Sequence, residues 1–133
     1  AEVFASSAAA EVVVTQDAHM NEVYLGAFGR DARSLPEALF AERLSGQVII
    51  DDLSEHDASS RIAAGAGWQR YPAMLAANDT LIANTSPVLY PRARYLLPLG
   101  AAALADGAAI APQDLVPAYL RARVAAKPAT EAP

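Results

Sequence analysis

The alternation of apolar and polar residues changes period along the chain, and each change predicts a different element. Two short runs rich in β-branched and aromatic residues, 12–15 and 23–28, have the composition of strands. The few residues between them suit a hairpin, and Asn21 fits the left-handed position that such a turn often requires. Residues 1–9 have the pattern of the last turns of a helix, and 61–68 that of a short buried strand ending in a glycine-rich turn.

The sequence predicts three further helices. An apolar stripe predicts a helix over 35–44, with Ser34 as its N-cap. The dipeptide Tyr-Pro at its start predicts a second helix over 71–78. The longest helix is predicted within 92–106, where Pro98 requires either a kink or a start near residues 95–98.

The remaining segments lack a helical pattern. Residues 47–50 are predicted to form a strand, and 51–60 an exposed acidic loop. Residues 80–90 are predicted to be irregular, and 115–121 extended because of an internal proline. The Pro-, Ala- and Thr-rich residues 127–133 are predicted to be a disordered tail.

Composition and net charge limit the classes of function and the locations that this chain can have. The 133 residues suit one domain, and a net charge of −5 argues against tight RNA binding by this chain alone. Cysteine is absent from the sequence, which excludes disulfides, thiolate zinc sites and cysteine nucleophiles in this chain and fits a cytoplasmic location. There is no apolar run of about 20 residues and no signal-peptide pattern, so we expect neither a membrane span nor a signal peptide in this sequence.

The predicted hairpin carries the first candidate for chemistry. His19 and Glu22 are spaced H-x-x-E beside Asp17, and His56 lies among the acidic residues of 51–57. Two imidazoles and carboxylates are compatible with a metal site, although the H-E-x-x-H spacing is absent. Solvated turn residues with a capping aspartate are the simpler interpretation. A metal-dependent hydrolase therefore stays an alternative, to be tested by titration calorimetry with zinc and manganese.

Three other groups of residues are candidates for a site. The G-A-G-W segment from Gly65 to Trp68 lacks the third glycine of a dinucleotide loop, which favours a tight turn with Trp68 in the core. The candidate nucleophilic serines lack a G-x-S-x-G elbow; they are Ser6, Ser7, Ser59 and Ser60. A basic patch is possible from Arg92, Arg94, Arg121 and Arg123. We expect no catalytic, cofactor-binding or metal residue among them.

Three motifs in order resemble one family. The segment D-A-H-M-N-E-V-Y at 17–24 resembles the D-A-R-M-G-E-V-Y hairpin of bacterial TsaB proteins, with His19 and Asn21 in place of Arg and Gly. The G-A-G-W-Q-R-Y-P segment at 65–72 and the P-A-Y-L-R segment at 117–121 resemble two further family motifs. The family's A-I-D-T strand and G-P-G-S-F-T-G segment do not occur. The resemblance therefore implies the C-terminal half of such a protein, with residues 1–126 as one lobe and the N-terminal lobe missing.

The resemblance also implies a fold and a function. The fold expected is an α/β lobe of actin, sugar-kinase and chaperone type (ribonuclease H-like), with a short mixed sheet and flanking helices. The function expected is that of a non-catalytic scaffold or dimerisation subunit in making threonylcarbamoyladenosine (t6A) on tRNA. Its partners would be the TsaD transferase and, through it, the ATPase TsaE, with a homodimer possible. The family is also labelled a glycoprotease homologue, and a free-standing interaction domain remains a further alternative.

Overall fold

The structure is a computed structural model and describes residues 1–46, 50–53 and 58–121. The α-helices are short, with bounds α1 Glu2–Ser6, α2 Ala66–Arg70, α3 Pro72–Ala77 and α4 Leu97–Ala105. The strands are β1 Glu11–Asp17, β2 Glu22–Arg30, β3 Pro36–Ala38, β4 Arg43–Gly46, β5 Arg61–Ala64 and β6 Asn84–Thr85. Single 3-10 turns occupy Asp51–Leu53, Ala58–Ser60, Ala93–Leu96 and Pro112–Asp114.

Within the described residues the strands form one mixed sheet in the order β3-β2-β1-β5-β6, and β4 also pairs with β2. β1 and β2 form the predicted antiparallel hairpin, with Val12 opposite Phe28 and Asp17 opposite Val23. β5 runs parallel to β1, and β6 parallel to β5. The carboxyl ends of β1 and β5 therefore meet at one edge, where the hairpin turn and the glycine-rich turn are neighbours.

Apolar residues cover both faces of the sheet. Successive residues of a strand point to opposite faces, so Val13 and Val12 belong to different clusters. The larger cluster includes Leu53, Trp68 and Met74, each at most 3% exposed. The smaller cluster packs Val3 and Phe4 of α1 on the other face. The fold class expected from the resemblance, an α/β lobe with a short mixed sheet and flanking helices, is confirmed.

The prediction of a helix over 35–44 is wrong. β3 and β4 occupy this segment, and both pair antiparallel with β2. Ser34 lies in a turn with φ +62° and does not cap a helix. The nine-residue strand β2 offers an edge that satisfies the backbone of both short strands. Leu39 and Phe40 pack against the larger core cluster without helical periodicity, so the apparent stripe reflected burial.

The other local predictions have mixed outcomes. α3 matches the predicted helix at 71–78, and α4 begins at Leu97 so that Pro98 lies in its first turn. The predicted strand over 61–68 is right only to Ala64, because α2 follows Gly65 at once. The segment 80–90, predicted to be irregular, contains the two-residue strand β6. Residues 47–49 of the predicted strand, and the predicted tail 127–133, lie outside the described residues.

Candidate functional site

The turn between β1 and β2 is built from three consecutive left-handed residues. His19, Met20 and Asn21 have φ values of +61°, +54° and +61°. Asn21 was predicted in this conformation, whereas His19 and Met20 were not. Side-chain-bearing residues adopt it at a cost, so contacts from the surroundings must hold the turn.

Asp17 supplies one of these contacts from the end of β1. Its Oδ1 accepts a hydrogen bond from the backbone N–H of His19 at 2.9 Å and another from the Tyr71 hydroxyl at 2.9 Å. These donors, the His19 amide first, hold the pKa of the Asp17 carboxyl below its ordinary value. The hydrogen bond from the Tyr71 hydroxyl to Asp17 also raises the pKa of Tyr71. Asp17 is therefore the turn-capping aspartate of the simpler interpretation, tied to the glycine-rich motif through Tyr71.

Arg121 supplies the other contacts from a distant part of the chain. Its Nη2 donates to the carbonyl oxygen of Ala18 at 2.8 Å, and its Nη1 lies 2.6 Å from Glu22 Oε2. The side chain is only 15% exposed. These contacts hold residues 117–121 against the hairpin turn, and we term this segment the strap. Two of the three sequence motifs thus meet at one guanidinium.

The glycine-rich turn packs directly on the end of β1. A Cβ at Gly65, whose φ is +100°, would lie 2.1 Å from the backbone oxygen of Thr15. A Cβ at Gly67 would lie 2.6 Å from Thr15 Oγ1. Trp68 follows in the core and donates its indole N–H to the carbonyl oxygen of Val13 at 3.2 Å. The prediction of a core tryptophan is confirmed, whereas the predicted tight turn is limited to Gly65, because Gly67 and Trp68 already lie in α2. Both glycines face Thr15 of β1.

The hairpin residues that are candidates for a metal site are instead part of the turn and its contacts. The His19 side chain is 89% exposed, and its Nδ1 lies 3.8 Å from Asp17 Oδ2. Glu22 faces Arg121. His56 lies outside the described residues. In the described part of the chain, no group of three or more His, Asp or Glu residues is arranged to hold a metal ion.

The candidate serines and arginines occupy separate surroundings. Ser6 and Ser7 donate to carbonyl oxygens of α1, at 3.1 Å and 2.7 Å. Ser59 and Ser60 belong to a 3-10 turn. Arg92 pairs with Glu2, Arg94 stacks on the Tyr95 ring, and Arg121 pairs with Glu22, while Arg123 lies outside the described residues. Each of the three described arginines therefore has its own partner, and none is shown to share an anion site.

An extended apolar surface follows the last strand. Large apolar side chains 60–82% exposed are concentrated in residues 90–119, which we call the apolar arm; they are Tyr90, Leu96, Leu97, Leu104, Ile110, Leu115, Val116 and Tyr119. α4 lies within this arm, carries no charged residue and has no buried residue. A helix that is apolar on all sides is normally covered by other protein. The arm is therefore a candidate interaction surface.

Two arginines with structural roles were missed by sequence reasoning. Arg30 at the end of β2 donates to carbonyl oxygens of Phe4, Ser7 and Ala9 and stacks on the Phe4 ring. Arg121 was grouped with a basic patch, although it holds the hairpin turn. Neither role had a local sequence signal, because both arginines bond to residues far from them in the chain.

Comparison with known proteins agrees with the motifs. Over 119 residues the chain is 29% identical to the tRNA threonylcarbamoyladenosine biosynthesis protein TsaB of Escherichia coli strain K12, covering 90% of this chain and 51% of TsaB. No family model matches the chain. The chain thus spans about half the length of the curated relative it matches.

Solved structures show the same fold. YeaZ from Pseudomonas aeruginosa superposes with a TM-score of 0.70 at 22% identity, over 90% of this chain and 53% of YeaZ. A crystal structure described as an uncharacterized protein with similarity to peptidase YEAZ from Pseudomonas aeruginosa gives a TM-score of 0.72 at 23% identity, with the same coverage. No helix in the described part of the chain is both long and apolar enough to cross a membrane. The family resemblance read from the motifs is confirmed: in sequence this chain is similar to about half of a TsaB protein, and in fold to YeaZ.

Proposed function

We propose that this chain is the C-terminal lobe of a non-catalytic, TsaB-type subunit that acts in t6A formation on tRNA in the cytoplasm. The observation that carries the proposal is the 29% identity to TsaB over nine-tenths of the chain. Residues 1–126 would constitute the lobe. Its role would be to support a TsaD-like transferase and, through that enzyme, a TsaE-like ATPase.

The geometry of the hairpin supports a role without nucleotide chemistry. The amide of His19 donates to Asp17, and the amide of Glu22 donates to the carbonyl oxygen of His19. Backbone amides that cradle a phosphate must be unoccupied and closely approachable, which usually requires glycine. Here the turn contains no glycine, and Arg121 covers its carbonyl side. These contacts favour a structural turn at the position that resembles a nucleotide-holding hairpin of catalytic relatives.

The apolar arm supports a role in assembly. Its exposed Leu96, Leu97 and Leu104 lie on and beside a helix with no buried residue. Burying such side chains contributes about 25 cal/mol per Å² of apolar area. Cover by other protein, from the rest of a TsaB-type subunit or from a TsaD-like partner, would supply that burial. The net charge of −5 makes direct binding of the lobe to tRNA a poor alternative.

A pull-down tests this proposal. Immobilised TsaD-like protein is offered this 133-residue chain and, in parallel, a complete TsaB-type protein that contains it. We expect strong capture of the complete protein and weak capture of the chain, because a single lobe presents only part of the assembly surface. Capture of both with equal strength would contradict the need for the second lobe, and capture of neither would contradict the proposed function.

Charged variants locate the surface. Leu104→Glu on the apolar arm is expected to weaken capture of the complete protein at least about tenfold, since a carboxylate would be buried in an apolar contact. Ala77→Glu is the matched control, because it adds the same charge at an exposed position of α3. Equal effects of the two variants would show that the arm is not the contact surface.

A further inference from the structure

We propose that Met20 at the hairpin tip is a site of reversible oxidation by peroxides, and that Arg121 couples its oxidation to the strap. This inference is independent of the proposed function. It rests on the position of an exposed thioether beside a guanidinium that is already fastened to the strap. Arg121 Nη1 lies 3.4 Å from Met20 Sδ.

The two methionines of the chain differ in access. Met20 is 74% exposed, whereas Met74 is completely buried in the larger core cluster. Met20 also has left-handed neighbours on both sides, which places it at the apex of the turn. Oxidation requires a peroxide to approach the sulfur, so the buried Met74 serves as an internal control for the exposed Met20.

The reaction is a transfer of one oxygen atom. A lone pair of the Met20 sulfur attacks one oxygen of hydrogen peroxide, the S–O bond forms and the O–O bond breaks. The sulfur is oxidised by two electrons and the peroxide is reduced. The proton of the transferred oxygen passes to the departing hydroxide, which leaves as water. Arg121 keeps its charge throughout, and no further reactant is needed.

The product is a different hydrogen-bonding group. A thioether sulfur is a weak acceptor, whereas the oxygen of a sulfoxide is a strong one. The N–H of Arg121 that now contacts sulfur would donate to this oxygen, while its bond to Ala18 stays in place. Since Arg121 ends the strap, oxidation at the tip would hold the strap more firmly.

Oxidation of Met20 would alter a groove on the surface of the protein. The turn and the strap enclose an open groove of about 520 Å³, lined by Met20, Tyr24, Tyr119 and Arg121 among others. Tyr119 is 82% exposed on the strap. A polar oxygen on one wall and a firmer strap on the other would change what this groove can contact. The proposal therefore predicts a surface that responds to peroxide.

Methyl NMR measures the selectivity. With ¹³C-methyl methionine the full chain should give one signal for each of its two methionines. In dilute hydrogen peroxide we expect Met20 to convert at least about tenfold faster than Met74, since a core side chain reacts only after local opening. A methionine sulfoxide reductase should restore the original signal. Equal rates at the two sites would overturn the proposal.

Hydrogen exchange measures the coupling. After oxidation we expect the amides of 118–121 to exchange about fivefold more slowly, the factor that one added hydrogen bond provides. In the Arg121→Gln variant, the exchange rates of these amides should be the same whether Met20 is oxidised or reduced. Met20→Leu keeps an apolar side chain at the tip, and peroxide should then have no effect on the strap. Oxidation of Met20 with no change in strap exchange in the unmodified chain would overturn the role of Arg121.

Discussion

Gly67 and Gly100 offer a comparison of the same substitution in two helices. Alanine in place of glycine favours a helix interior by about 1 kcal/mol. At Gly67 in α2 the added Cβ would lie 2.6 Å from Thr15 Oγ1 and 2.8 Å from Thr15 Cβ. At Gly100 in α4 no atom of the described residues, apart from the neighbouring backbone of α4 itself, lies within 4 Å of that position. Gly100 lies inside α4 and gains the full helix term, whereas Gly67 is the second residue of the five-residue α2 and gains at most that term. Only Gly67 carries a steric cost.

The expected magnitude follows from the contacts. Overpacking of a close contact costs about 1–3 kcal/mol, and Thr15 is a completely buried residue of a central strand that cannot retreat. Taking about 3 kcal/mol for the clash and subtracting about 1 kcal/mol for the helix leaves Gly67→Ala destabilised by about 2 kcal/mol. Gly100→Ala should be neutral or stabilised by up to about 1 kcal/mol.

Urea unfolding followed by tryptophan fluorescence measures both variants. Trp68 is the single tryptophan of the chain and is buried, so its emission reports on the core. With a denaturant slope of about 2 kcal/mol per molar, Gly67→Ala should unfold at about 1 M less urea. Circular dichroism should give the same midpoint, which controls for a local effect on the indole.

A double-mutant cycle identifies the cause. Thr15→Ala removes the Oγ1 that the new Cβ would meet at 2.6 Å and leaves the Thr15 Cβ at 2.8 Å in place. Among the residues that the structure describes, this hydroxyl has no hydrogen-bond partner to lose. The combined cost of Gly67→Ala and Thr15→Ala should therefore be smaller than the sum of the two single costs. Additive costs, or a Gly67→Ala variant as stable as the unmodified chain, would refute the close packing of the glycine-rich turn on β1.

Three further predictions concern the core and the turn. Asp17 has a lowered pKa when folded, so its contribution to stability is full above the ordinary value of about 4 and is lost as the pH falls through the folded pKa; acid titration of unfolding should lose this dependence in Asp17→Asn. Asn78→Ala should cost about 1–3 kcal/mol in urea unfolding, because the buried Ile50 amide loses its acceptor at 2.9 Å. Met74→Ala should cost about 2–5 kcal/mol in the same assay, whereas a cost near zero would contradict its complete burial.

The sequence by itself determined the elements in which local chemistry and burial agree. The hairpin of β1 and β2 has strongly β-prone residues on both sides of a polar turn, so its strands were predictable. Pro98 left two alternatives, a kink or a helix start near residues 95–98, and α4 begins at Leu97 as the second alternative predicts. The order of three motifs was sufficient to indicate a resemblance to TsaB proteins, and the alignment with TsaB over 119 residues confirmed that resemblance.

The tertiary structure decided the rest, because the deciding contacts join residues far apart in the chain. The segment 35–44 has helical spacing, yet the open edge of β2 recruits it into two strands. The left-handed turn exists because Asp17 and the distant Arg121 hold it from two sides. Sequence identified Asp17, His19 and Glu22 as a cluster, but only the fold could show that Glu22 faces Arg121. Spacing reports which residues are close along the chain, whereas the charge and hydrogen-bond partners that define a site depend on how the strands are paired.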